Sequence, residues 1–216
     1  TVPHPESDEP ETLDRLALDY LRASDPKAAS NRASLGVVHR IDKDTSGLVV
    51  FARTHAALKA LSEQFRAHSI ERRYLALVHG CPQAQTIDTR IAREGGAGVR
   101  GSVPEGSVNK KGEELGRRAV THVEVLERLG TASLVACRIE TGRTHQIRIH
   151  LSEIGHPILG ERVYVRGYEG ERIHAARTLL HAERLGFVHP RTAEPVEWTE
   201  APPEDFARVY RSLKTG

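Results

Sequence analysis

Two short segments gather side chains able to do chemistry. The first reads His39-Arg40-Ile41-Asp42-Lys43-Asp44-Thr45-Ser46-Gly47 and lies between the apolar runs Leu35–His39 and Leu48–Ala52. Carboxylates, cations and hydroxyls crowd one polar turn, and a turn held by a scaffold is where functional side chains usually sit. The plainer alternative is that Asp44, Thr45 and Ser46 hydrogen-bond the turn backbone while Arg40 and Lys43 face solvent. The second segment reads Thr141-Gly142-Arg143-Thr144-His145-Gln146-Ile147-Arg148-Ile149-His150. It leaves a strand and opens a helix, so free backbone N–H groups near Arg143, Thr144 and His145 would make an anion cradle. The alternative there is an ordinary solvated first turn. Arg148 lies one turn further in, beside the apolar Leu151, and a half-buried guanidinium needs a carboxylate or several acceptors.

Familiar mechanisms fit poorly. His145 and His150 lack the HExxH spacing of a zinc peptidase, and His39 and His122 lack regular ligand spacing. No GxSxG elbow is present, and neither Cys81 nor Cys137 has the local context of a thiol nucleophile. His39-Arg40-Ile41-Asp42 echoes a kinase catalytic loop, but an isoleucine separates Arg from Asp and no DFG segment accompanies it. Asp42 with a distant carboxylate such as Glu140 could serve glycosidic chemistry if about 5–9 Å separated them. Such a pair would leave the arginine-dense helix start unexplained.

The elements that must position these segments can be read from periodicity. Thr12 is placed to cap a helix carrying Leu13, Leu16, Leu18 and Leu21, and 25–34 reads as a loop. The apolar runs on either side of Asp42 predict two short strands. Thr54 should cap a helix with Leu58, Leu61 and Phe65 on one face. Arg73–His79 reads as a strand, the glycine-rich stretch 95–116 as long loops with a small hairpin, and 121–126 with 133–139 as an antiparallel hairpin. Thr144 should cap a second helix, which Gly155 and Pro157 stop. Strand pieces at 184–189 and 195–198 and a helix over 203–213 complete the chain. Strands joined by hairpins and by helices predict an α+β domain with a mixed, mainly antiparallel sheet and helices packed against it.

The chain has 216 residues, enough for one core or two small lobes sharing one. Two distant cysteines argue against a disulfide scaffold, and no run is long and apolar enough for a membrane span, so a reduced, cytoplasmic protein is expected. Net charge is only +2, but 25 of the 31 basic residues are arginine. Codon bias could produce that excess; so could selection for phosphate contacts. Residues 32–148 carry a net +7 against −4 before them and −1 after, concentrating the positive charge around both segments.

Taken together, HRIDKDTSGLVVFAR at 39–53 and TGRTHQIRIHL at 141–151 closely resemble the signatures of the RluA-type RNA pseudouridine synthases. The strand with Arg72 and Tyr74, Gly155-His156-Pro157, and the run from Leu180 to Pro190 follow in the family's order. The resemblance implies a pseudouridine synthase-like α+β fold and isomerisation of uridine in RNA without a metal or other cofactor. It implies Asp42 as the catalytic aspartate, Tyr74 as the ring stacking on uracil, and Arg148 as the aspartate's partner. Arg40, Lys43, Arg143 and His145 would hold flanking phosphates, and Leu185 falls in a segment that helps close the pocket. Residues 31–216 would form the catalytic domain after a tail and short helix at 1–30, with no separate N-terminal RNA-binding module. A monomer acting on ribosomal RNA is expected; transfer RNA, or RNA binding without catalysis, are the alternatives.

Overall fold

The computed structural model describes residues 12–26, 35–93, 99–165 and 167–215. Its spine is the strand β4 (Glu71–His79), whose inward run Tyr74–Val78 is almost wholly apolar. The hairpin of β7 (Arg117–Leu129) and β8 (Ala132–Ile139) pairs along one edge of β4, and β9 (Leu180–Val188) pairs along the other. With β5 (Gln85–Arg93), β6 (Arg100–Val103) and β10 (Pro195–Thr199), the order is β10-β9-β4-β8-β7-β5-β6, antiparallel throughout. The predicted α+β class and mainly antiparallel sheet are observed.

Four helices were read in the sequence and all four form. They are α1 (Leu13–Ser24), α2 (His55–Arg66), α3 (Gln146–Glu153) and α4 (Glu204–Thr215). Thr54 caps α2 as expected, its hydroxyl accepting from Ala57 N–H at 3.1 Å. Thr12 occupies the capping position of α1, but its side chain makes no cap bond. Thr144 does not cap α3. His145 takes that place at φ 60°, and the buried Gln146 folds back so that its Oε1 accepts from Arg143 N–H at 3.0 Å. The helix start therefore satisfies its own donor, which removes part of the anion cradle expected there.

The strands flanking Asp42 are β1 (Gly36–Val37) and β3 (Phe51–Ala52), an antiparallel pair as predicted. Between them lies a feature the sequence did not announce. Ser46–Gly47 forms β2, which pairs parallel with β9 through Ser46–His181 and Gly47–Ala182. Gly47 has φ 108°, and a Cβ there would lie 2.2 Å from the carbonyl oxygen of Ala182. Only glycine permits that backbone and that approach.

β5 is also not legible in the sequence. Its inward face is Ile87, the half-buried Thr89 and Ile91, so a hydroxyl interrupts the apolar alternation. Thr89 is there because His150, fully buried on α3, needs a partner: Thr89 Oγ1 and Thr121 Oγ1 each lie 2.9 Å from the imidazole. Within 95–116 the predicted small hairpin is the bridge Val108–Glu114, while Arg100–Val103 is a true sheet strand. Residues 27–34 and 94–98, and the tail before Thr12, lie outside the described residues.

Two apolar cores meet at β9. The larger packs β4, β7 and β8 against α3 and Phe206 of α4. The smaller packs α2 and the β1–β3 pair against Leu185 and Phe187. Among the described residues no helix is long and apolar enough to cross a membrane.

Candidate active site

Where the two cores meet, a cavity of about 430 Å³ opens, a size typical of sites for small ligands. Its walls come from the Asp42 turn, the end of α2, the face of β4 that carries Arg72 and Tyr74, and residues Gly142–Ile147. Ile41, Ile139, Ile147 and Leu180 give it apolar walls, and Arg40, Arg66, Arg72 and Arg143 add positive charge. Asp42 is the one carboxylate among the lining residues.

The fold brings Asp42 to Arg148 across more than a hundred residues of sequence, with Nη1 and Oδ2 at 3.6 Å. This is charge contact, longer than a hydrogen bond. The arginine's tighter partner was not foreseen. Glu161 takes it in a two-pronged grip, Nε to Oε2 at 2.6 Å and Nη2 to Oε1 at 2.8 Å. Glu161 Oε1 also accepts from the N–H groups of Arg162 and Val163. Burial works against ionisation of Glu161, but the Arg148 and backbone hydrogen bonds outweigh it and hold the carboxyl below its ordinary range. Burial likewise opposes the charge on Arg148, and the Glu161 bond with the charges of Glu161 and Asp42 overcomes it. Arg148 is thus fixed from behind by Glu161 and presents its remaining charge to Asp42. Tyr164 covers it, ring to guanidinium 5.2 Å. Nothing in the local sequence marks Glu161; only its place after the Gly155–Pro157 stop suggests a turn.

Tyr74 lies 8% exposed in the cavity wall, and burial raises its phenol above the ordinary value. Its ring is therefore neutral and offers an apolar face. His145 lines the cavity, with Nδ1 2.8 Å from the Tyr164 hydroxyl. Burial lowers its pKa, and the pull of Asp42 in the other direction does not overcome this. Arg40 and Arg143 line the cavity, and Arg143 is steadied by its Nε donating to the Arg118 carbonyl at 2.9 Å. Lys43 is exposed in the turn and is not among the lining residues. Leu185, expected at the pocket, is instead buried in the smaller core, because the Asp42 turn pairs with the earlier part of β9; Leu180 is the β9 residue in the wall. Glu140, the other carboxylate weighed for glycosidic chemistry, is bound to His122 at 2.8 Å and does not line the cavity.

Asp44 and its neighbours hold the turn, but not through the Asp44 carboxylate. Arg177 Nη1 donates to the Asp44 carbonyl at 2.9 Å and its Nη2 to Ser46 Oγ at 3.1 Å. Beside the cavity, His39 accepts from Val50 N–H at 3.1 Å and stacks on Phe65.

Two imidazoles, the half-buried His39 and the fully buried His150, set an acid limit on the protein. Burial, with Arg72 nearby, lowers His39 to about 4, and burial lowers His150 to about 4 despite the pull of Asp88. Each folded value lies below the unfolded one, so the stability is complete above about pH 6.5 and drains away as pH falls toward 4. Each site accounts for about 3 kcal/mol at the low end. Urea unfolding at pH 7 and pH 4.5 should show a marked loss in midpoint, and His150→Gln should shrink that loss. An unchanged midpoint would contradict the buried, neutral assignment.

Comparison with known proteins adds to this geometry. A family model described as RNA pseudouridylate synthase matches residues 4–153. Ribosomal large subunit pseudouridine synthase D of Zymomonas mobilis is 41% identical over 203 residues, covering 91% of this chain and 62% of that protein. An uncharacterized RNA pseudouridine synthase of Bacillus subtilis is 42% identical over 183 residues, covering 83% of this chain and 56% of the relative. The chain therefore spans between about half and two thirds of the length of these curated relatives. Among solved structures, human RNA pseudouridylate synthase domain containing 1 superposes with TM-score 0.65 at 27% identity, covering 91% of this chain and 84% of that one.

Proposed function

Since the chain belongs to the RNA pseudouridylate synthase family, we propose that it isomerises uridine to pseudouridine in RNA, with large-subunit ribosomal RNA as substrate. The observation that carries this reading is a single carboxylate, Asp42, 3.6 Å from Arg148, in a cavity lined by both apolar side chains and arginines.

The chemistry follows from those parts. The N1–C1′ bond breaks with its electron pair leaving on the uracil, and Asp42 meets the electron-poor C1′ from the ribose side. Arg148 keeps that carboxylate ionised and aimed. The detached base turns over the neutral face of Tyr74 while the apolar walls retain it. C5 then bonds to C1′, the C5 proton is lost and N1 regains one, so substrate and product are isomers. A uridine must leave its helix or loop to enter, and Arg40 and Arg143 meet the flanking phosphates.

Unmodified large-subunit ribosomal RNA transcript, incubated with the protein and mapped for pseudouridine, tests the reading. New pseudouridine at one or a few positions is the expected result. Conversion of a transfer RNA transcript instead would move the substrate assignment, and conversion of neither would refute it. Arg143→Ala should weaken binding to target and unrelated RNA alike, and reduce the slope of log affinity against log salt by about 0.7–0.9. A loss confined to target RNA would contradict a phosphate contact.

A further inference from the structure

Arg72 is a buried cation that the isomerase chemistry just described does not use. It is 7% exposed, yet it lines the cavity two residues before Tyr74 on β4. Its Nη2 donates to the Glu140 carbonyl at 2.7 Å, and its guanidinium lies 5.5 Å from the centre of the Phe65 ring. Its Nε is buried with no hydrogen-bond partner, and among the described residues no carboxylate pairs with it. Burial, with the charge of Arg143 also pushing the same way, disfavours the protonated form. Arginine does not discharge in response, so its charge and spare donors remain in a partly dry site. Such a group is costly to keep unless an anion meets it.

Here we propose that Arg72 anchors a backbone phosphodiester of the bound RNA, the one belonging to the nucleotide whose base lies on Tyr74. This rests on the reading that RNA is the substrate. Arg72 and Tyr74 share one face of β4 at a spacing of about 7 Å, comparable to the distance from a base to the phosphate of the same nucleotide. The guanidinium is pre-set: Phe65 supports its plane, Glu140 holds one end, and Gly142 leaves room for the other. A Cβ at Gly142 would come within 2.8 Å of Arg72 Nη1. Hydrogen at that position lets the fork lie flat beside the loop that also carries Arg143. Two guanidinium groups then converge on one anion from β4 and from the start of α3.

The test is filter binding of unmodified large-subunit ribosomal RNA transcript between about 50 and 200 mM KCl, with melting temperature followed for each variant. Arg72→Gln should weaken binding about tenfold at the lower salt and flatten the log–log salt slope by about 0.7–0.9. Arg72→Lys should recover the slope but only part of the affinity. Gly142→Ala, which displaces the fork without removing charge, should weaken binding several-fold; should Arg72→Gln fail to fold, that variant decides, and unchanged affinity in it overturns the proposal. An unchanged slope in folded Arg72→Gln also overturns it, even with a loss in kcat, since the guanidinium would then serve the base. Pseudouridine formation by the unsubstituted protein on the same transcript is scored separately. Its absence beside an Arg72-dependent slope sinks only the isomerase reading, and its presence beside an Arg72-independent slope sinks only the phosphate anchor.

Discussion

Asp42→Asn should abolish pseudouridine formation, by at least about a thousandfold or some 4 kcal/mol of barrier, in a protein that still folds and still binds RNA. The substitution keeps the side chain's size and removes its charge, so C1′ loses the group that meets it while the cavity keeps its walls. Asp44→Asn is the control within the same turn. The turn is tied down through the Asp44 carbonyl, which Arg177 holds at 2.9 Å, and the exposed carboxylate takes no part in that bond. Asp44→Asn should therefore be close to neutral in both rate and stability. Single-turnover conversion on the RNA identified above, with affinity measured separately, distinguishes the two. Turnover by the Asp42 variant beside a dead, well-folded Asp44 variant would move the chemistry from Asp42 to Asp44.

Glu161→Ala should cost more stability than any other single change at the site. The Glu161 side chain is 0% exposed and that of Arg148 12%, so the substitution strands a guanidinium with only the longer Asp42 contact. Breaking such a buried pair costs about 3–5 kcal/mol, which lowers Tm by about 10 °C in a domain of this size. Glu161→Gln keeps acceptor oxygen near Arg148 and should fold better. Its kcat should still fall well below its melting range, because a neutral amide lets Arg148 swing toward Asp42 and blunt it, while RNA affinity stays unchanged. A Glu161→Gln variant with full kcat would mean that Arg148 needs no support from behind. The Glu161 contribution to stability is present above about pH 4.5 and is lost as pH falls below it, since its folded pKa is depressed.

How much of this could be read before the structure depended on what each residue's neighbours in sequence revealed. The helices α2 and α4 and the β7–β8 hairpin announce themselves by local periodicity and turn chemistry, and they form within a few residues of where they were expected. Asp42 and Arg148 are legible because their motifs are dense enough to recognise, and the fold does bring them together. Glu161, and the burial of Arg72 beyond its place in the Arg72–Tyr74 strand, are illegible for opposite reasons. Glu161 sits in an irregular turn between two arginine-bearing stretches, where a lone carboxylate looks solvated. Arg72 sits in a strand at whose exposed start a charge looks ordinary, and only the cavity shows it facing inward. Thr89 hid β5 because its partner, His150, is 61 residues away. In each case the deciding contact is long-range, so no window of local sequence contains it.

The pairing of β2 with β9 also bears on when the Asp42 turn acquires its support. During synthesis the Asp42 turn emerges well before its partner residues, His181 and Ala182, since Ser46 and His181 lie 135 residues apart. Arg148, Glu161 and the Arg177 fork that grips the turn arrive in between, each after a long span of chain has been exposed. Closing contacts of such separation is slow relative to forming helices. A nascent chain therefore carries Asp42 on an unsupported loop until β9 has been made and has joined the sheet.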